Sequence, residues 1–166
     1  LAVSGDLDRD MGGTLLKLKN RAYFFDHTSI DLTKYDSLRR SIYLPVVRNN
    51  VFEVFQLHDF PDPAVSTGSR STTVVASQAL MMLNSDFVMK SAGGLAKRVM
   101  TTKSESERLK LLYRIAFGRP PTAREIQADR AFLLSVRRSN PTPTVEQAWG
   151  QLAHVLLAAN EFIYIR

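Results

Sequence analysis

The chain has 166 residues, 45% of them hydrophobic, a formal net charge of +6 and no cysteine. That length suffices for one sizeable core and is short for two, while the missing cysteine excludes a disulfide frame, a thiolate zinc site and a cysteine nucleophile. The positive charge would draw an anionic partner if it were clustered, but Lys and Arg run from Arg9 to Arg166 with only local pairs such as Arg39-Arg40 and Arg137-Arg138, the pattern of a solvated basic surface.

No apolar run approaches the roughly 20 residues needed to cross a bilayer, and no stretch has the layout of a signal peptide. The expectation is one domain over 1–166 without a membrane span. The opening Leu1-Ala2-Val3-Ser4-Gly5, with no Met, reads as the tail of a helix, so the domain is expected to be the C-terminal part of a larger multidomain protein. Asp6, Asp8 and Asp10 alternate as in a calcium loop, but Met11 and Lys17 stand where an EF-hand needs Gly and Glu, and Gly12-Gly13 suits a tight turn with positive φ.

Arg21–Phe25 and Ser41–Val47 are rich in aromatic and β-branched residues and short enough to be strands. They predict a small antiparallel β element, with Pro45 at an edge or bulge. Phe52 and Phe55 suggest a short helix running into Leu57. The knot His58-Asp59-Phe60-Pro61-Asp62-Pro63 breaks it, because proline donates no backbone hydrogen bond and pushes its predecessor out of the helical region. A loop with Ser69 and Arg70 follows, and a helical pattern predicts Ser77–Met100 with a boundary at Asn84-Ser85. Gly93-Gly94 inside it predicts either a close backbone neighbour or a bend.

The last third carries three capping-box signatures: Ser104 with Glu107, Thr122 with Glu125, and Thr144 with Gln147. They predict helices over Glu105–Phe117, Ala123–Arg138 and Val145–Phe162, antiparallel around a common core. Trp149 lies on an apolar stripe and is expected to be buried against Leu112 or Phe132. The fold class is therefore mainly α, with antiparallel C-terminal helices and two short N-terminal strands.

His58, Asp59 and Asp62 fall within five positions and offer an imidazole and two carboxylates to a metal ion or to acid/base chemistry, although Asp-Pro is also ordinary turn chemistry. The hydroxyl-rich loop with Ser69 and Arg70, together with Arg39, Arg40 and Arg48, could cradle a sulfate or an acidic sugar. His154, among apolar helix residues, reads as a hydrogen-bonded boundary histidine, and Glu161 as the partner of a basic residue. Ser77 lacks the GxSxG setting of a hydrolase elbow.

The ordered blocks RRSIYLPVVRN, DFPDP, TTVVASQALMMLNSDFV, LLYRIAFGRPPTAREI and AWGQLAHVLLAANEFIYIR resemble the C-terminal half of an uncharacterised domain family. That family occurs at the end of large secreted proteins of planctomycete-type bacteria that also carry a cytochrome c domain. The resemblance implies export to a secreted, periplasmic or cell-surface location, a multidomain parent whose other domains are partners, and the company of sulfatase-like and polysaccharide-processing proteins. It implies haem only for the parent, and no cofactor for these residues. Gly93-Gly94 departs from the family's Ala/Glu-rich helix. Two functions follow as expectations: a non-catalytic module binding acidic or sulfated glycan, or part of a metal-assisted hydrolase or redox assembly acting on polysaccharide. Nucleic acid is not an expected partner, since no recognition motif accompanies the charge.

Overall fold

The computed structural model describes residues 1–13, 35, 37–46, 51–69 and 76–164. The chain divides into two compact units, one of residues 7–78 and one of 1–6 with 79–166.

In the 7–78 unit, Asp8 and Arg39 form an isolated parallel bridge, with the Asp8 amide donating to the Leu38 carbonyl at 3.0 Å. The Arg39 side chain then clamps the turn that the two glycines allow: its Nη2 donates to the carbonyls of Asp10 (2.8 Å) and Gly12 (2.6 Å), while Gly12 and Gly13 adopt φ of +78° and +69°. Ser41–Tyr43 is a 3-10 turn rather than the start of the expected strand Ser41–Val47. The physical reason is local. Tyr43 and Leu44 donate back to Arg40 and Ser41 at 3.0 Å, Pro45 has no N–H for a ladder, and the Arg39 guanidinium sits 4.0 Å over the Tyr43 ring. The partner strand Arg21–Phe25, like Val47, lies outside the described residues.

Helix α1, Glu53–Leu57, follows an aromatic column in which Tyr35 stacks on Phe52 at 4.2 Å, Phe52 meets Phe55 edge-on at 5.5 Å, and Phe55 stacks on Phe60 at 5.2 Å. The helix stops at His58, and Asp59 takes a left-handed φ of +57°, a conformation that Asp tolerates better than most residues. Gln78, the last residue of this unit, donates from Nε2 to the Leu57 carbonyl at the end of α1 at 2.7 Å; it lies at the start of α2 (Ala76–Asn84).

The other unit is helical. After α2 come α3 (Asp86–Met100), α4 (Glu105–Phe117), α5 (Ala123–Arg137), α6 (Val145–Leu157) and the short α7 (Asn160–Ile163). Two of the three predicted capping boxes form in full. Thr122 and Glu125 exchange bonds of 2.6 and 3.3 Å, and Thr144 and Gln147 bonds of 2.8 and 3.2 Å. Ser104 makes no side-chain cap, although its carbonyl accepts the Arg108 amide just as those of Thr122 and Thr144 accept the Ile126 and Ala148 amides; Arg108 Nε donates to the Thr102 carbonyl at 2.6 Å. Helix α4 ends on Gly118 at φ +72°, the left-handed cap that precedes Pro120-Pro121.

Helix α6 is the central element, packed on α3, α4, α5 and α7, and its interface with α3 is the most extensive. Leu95, Val99, Leu109, Leu112, Leu152 and Trp149 fill the core, and Trp149 is 3% exposed as its stripe predicts. Of the glycine pair in α3, Gly94 answers to close neighbours, while Gly93 has open space where its own Cβ would stand. Gly93 lies against Gly150 of α6, whose added Cβ would stand 4.0 Å from the Gly93 Cα; a Cβ on Gly94 would stand 2.9 Å from the Ser4 Cβ and 2.8 Å from an Asp6 carboxylate oxygen. Among the described residues no helix is long and apolar enough to cross a membrane.

Candidate functional site

The residues singled out by sequence do not gather at one point. Asp62 makes an Asx turn, its Oδ1 accepting from the Ala64 amide at 2.8 Å and its carbonyl from Val65 at 3.2 Å. His58 is exposed, and His58, Asp59 and Asp62 do not form a metal-holding group: among the described residues no three His, Asp or Glu side chains do. Ser69 is exposed, while Arg48 and Arg70 lie outside the described residues.

Arg39 and Arg40 do converge. Their guanidiniums lie 4.0 and 5.7 Å from the Tyr43 ring centre, and Arg40 reaches the Tyr43 hydroxyl at 3.4 Å. The Gly12 amide and then Arg40 hold the Tyr43 phenol below its ordinary pKa. Arg39, however, directs its Nε and Nη2 to backbone carbonyls. It acts as a clamp, and Arg40 is the more available cation.

The helical unit builds a site that no sequence motif marks. Arg108 of α4 and Arg130 and Arg137 of α5 line a cleft of about 240 Å³ whose apolar side is Leu133, Leu134, Val145, Ala148 and Trp149, with Glu105 as its one acidic member. Each guanidinium is positioned differently. Arg108 is pinned through Nε to the Thr102 carbonyl and lies 6.0 Å from the Trp149 ring centre. Arg130 pairs through Nε with Glu105 at 3.0 Å. Arg137 is exposed and has no ion pair among the described residues. Arg130 and Arg137 are seven residues apart, two helical turns, which puts them on one face; that spacing was the available signal, but nothing in it shows that α4 and α6 meet that face.

A larger groove of about 620 Å³ runs along α6 and the 139–143 loop, with Gly93 and Gly150 in its lining. His154 sits there with Nε2 donating to the Met82 carbonyl at 2.9 Å, a boundary histidine with a backbone partner. The groove carries no Asp, Glu, Lys or Arg, so the arginine cleft is the better candidate for selective recognition of charge.

Two other polar clusters hold the fold. Arg119 grips Glu125 with bonds of 2.7 and 3.0 Å and Glu161 with bonds of 2.6 and 2.7 Å, tying the start of α5 to α7. The guanidinium beside it keeps the Glu125 carboxyl low, at about 2, and the two carboxylates push the Arg119 pKa upward. Beneath them the Tyr113 hydroxyl donates to Asp129. Burial, with the Asp129 charge beside it, raises the phenol's pKa; burial also raises that of Asp129, whose Oδ2 has no partner.

The family model described as PSD1, protein of unknown function (DUF1553), matches residues 1–133. No curated protein and no solved structure matches the chain.

Proposed function

The chain belongs to the PSD1 family of proteins of unknown function (DUF1553), and from that premise we propose that it is a non-catalytic interaction module of an exported multidomain protein, binding an acidic or sulfated glycan. The observation that carries this reading is the cleft in which Arg108, Arg130 and Arg137 face a wall of Leu133, Leu134, Val145 and Trp149. Guanidinium forks match carboxylate and sulfate oxygens, and the exposed aliphatic side chains of Leu134 and Val145 accept the apolar face of a sugar ring, while Trp149 itself is buried. Arg40 beside Tyr43 offers a further cation in the other unit. The resemblance to chains of planctomycete-type bacteria with a cytochrome c domain supports export and gives the module its partners, the other domains of the parent, in which any haem would reside.

Calorimetric titration with sulfated, uronic-acid and neutral oligosaccharides at low and high salt tests the reading. Acidic and sulfated ligands should bind and weaken with salt, since exposed charges are screened over about 10 Å at 0.1 M ionic strength. The double variant Arg130→Gln/Arg137→Gln should lose about tenfold or more in affinity. Equal affinity for neutral and sulfated ligands, no binding at all, or indifference to the double variant would remove the cleft from this role.

A further inference from the structure

Glu105 is out of keeping with its surroundings in the arginine cleft. It faces three guanidiniums, yet its carboxylate engages one of them, through a single 3.0 Å bond from Arg130 Nε, and the two side chains are 55% and 51% exposed. An ion pair so open to water contributes little and separates readily. The contact leaves both Nη nitrogens of Arg130 for another acceptor, while Arg108 is already fixed by Thr102 and Arg137 carries no ion pair among the described residues. The carboxylate of Glu105 therefore has the chemistry and the position of a ligand's anionic group, but on a stem that begins at the first residue of α4 rather than on a body that fills the apolar wall.

We infer that Glu105 is an internal competitor: it holds Arg130 in place of the ligand's carboxylate or sulfate and yields when a ligand brings both an anion and a ring that covers the exposed Leu134 and Val145 side chains of the cleft. This rests on the glycan reading of the cleft and adds a selection rule to it. A bare anion has only an exchange of one carboxylate for another to offer. A sugar acid or sugar sulfate also covers apolar surface, so the site rejects simple salts and accepts short charged sugars, one ring of which fits a volume of about 240 Å³.

Trp149 lines the cleft but is 3% exposed, so binding is read by calorimetry rather than by its fluorescence. The 166-residue chain is titrated with a chondroitin-sulfate disaccharide, digalacturonic acid, sodium sulfate and maltose, alongside Glu105→Gln and the control Glu146→Gln, a first-turn glutamate of α6 outside the cleft lining. Removing the competitor should tighten both acidic disaccharides about three- to tenfold, as expected for deleting one nearby partly screened charge, and should bring sodium sulfate into measurable range. Glu146→Gln should stay within about twofold of the parent. Unchanged or weaker binding by Glu105→Gln, or an equal gain in Glu146→Gln, overturns the competitor role while leaving the glycan reading standing. No binding heat from the parent and both variants overturns the glycan reading of the cleft and this inference with it.

Discussion

At the scale of single residues the chain's most costly choice is Asp129. It is 7% exposed on α5, its Oδ2 has no partner, and the Glu125 charge lies close enough to disfavour ionisation further. Its folded pKa therefore stands above the unfolded value near 3.8. A raised acid pKa means that the folded state holds the proton more tightly than the unfolded chain. Its stabilising contribution is full below about pH 4 and is lost as pH rises through the folded pKa. Asp129→Asn keeps an acceptor for the Tyr113 hydroxyl and carries no charge. At pH 7 it should be more stable than the parent, because it removes a buried charge, and near or below pH 4 the difference should vanish. Denaturant melts across that range measure it; a variant that is destabilised at pH 7 would mean that the ionised Asp129 has a buried cation or water as partner.

At the scale of elements, much of the helical part was legible because its signals are local. Thr122 and Thr144 sit three residues before Glu125 and Gln147, and both boxes close. Ser104 has the same spacing to Glu107 and makes no side-chain cap, so the three-residue signature marks the start of the helix without ensuring that the box closes. The Ser41–Val47 pattern suited a strand, yet Arg39 and Tyr43 draw residues 41–43 into a turn. The arginine cleft was illegible because its members come from three helices and meet only through the tertiary packing of α4, α5 and α6. The glycine pair in α3 lies between these cases: its oddity showed in the sequence, and its cause did not. Gly93 has open space where its Cβ would stand, so Gly93→Ala should gain up to about 1 kcal/mol of helix propensity. Gly94→Ala meets Ser4 and Asp6 at under 3.0 Å and should lose stability despite the same propensity gain. Paired thermal melts separate the two, and equal shifts would show that the Ser4–Asp6 segment moves aside without cost.

At the scale of the whole molecule, the helical unit is not continuous in sequence: residues 1–6 belong with 79–166. Val3 packs against the core of that unit, Ser4 is buried, and Arg98 of α3 donates to the Val3 carbonyl at 3.2 Å. A six-residue segment thus packs its Ser4 and Asp6 side chains where a Cβ on residue 94 would stand, which makes the two ends of the unit interdependent. Removing residues 1–6 should lower stability by about 2 kcal/mol, roughly one buried aliphatic side chain together with the Arg98 bond. The sharper expectation is the coupling. In the full chain Gly94→Ala destabilises because its Cβ collides with Ser4. In a chain starting at residue 7 no such neighbour exists, and the same substitution should become stabilising by up to about 1 kcal/mol, matching Gly93→Ala. The reversal of sign between the two backgrounds, read from four thermal or denaturant melts, is the test. If Gly94→Ala costs the same in both, the first six residues do not occupy the place against α3 from which the glycine's absence of side chain follows.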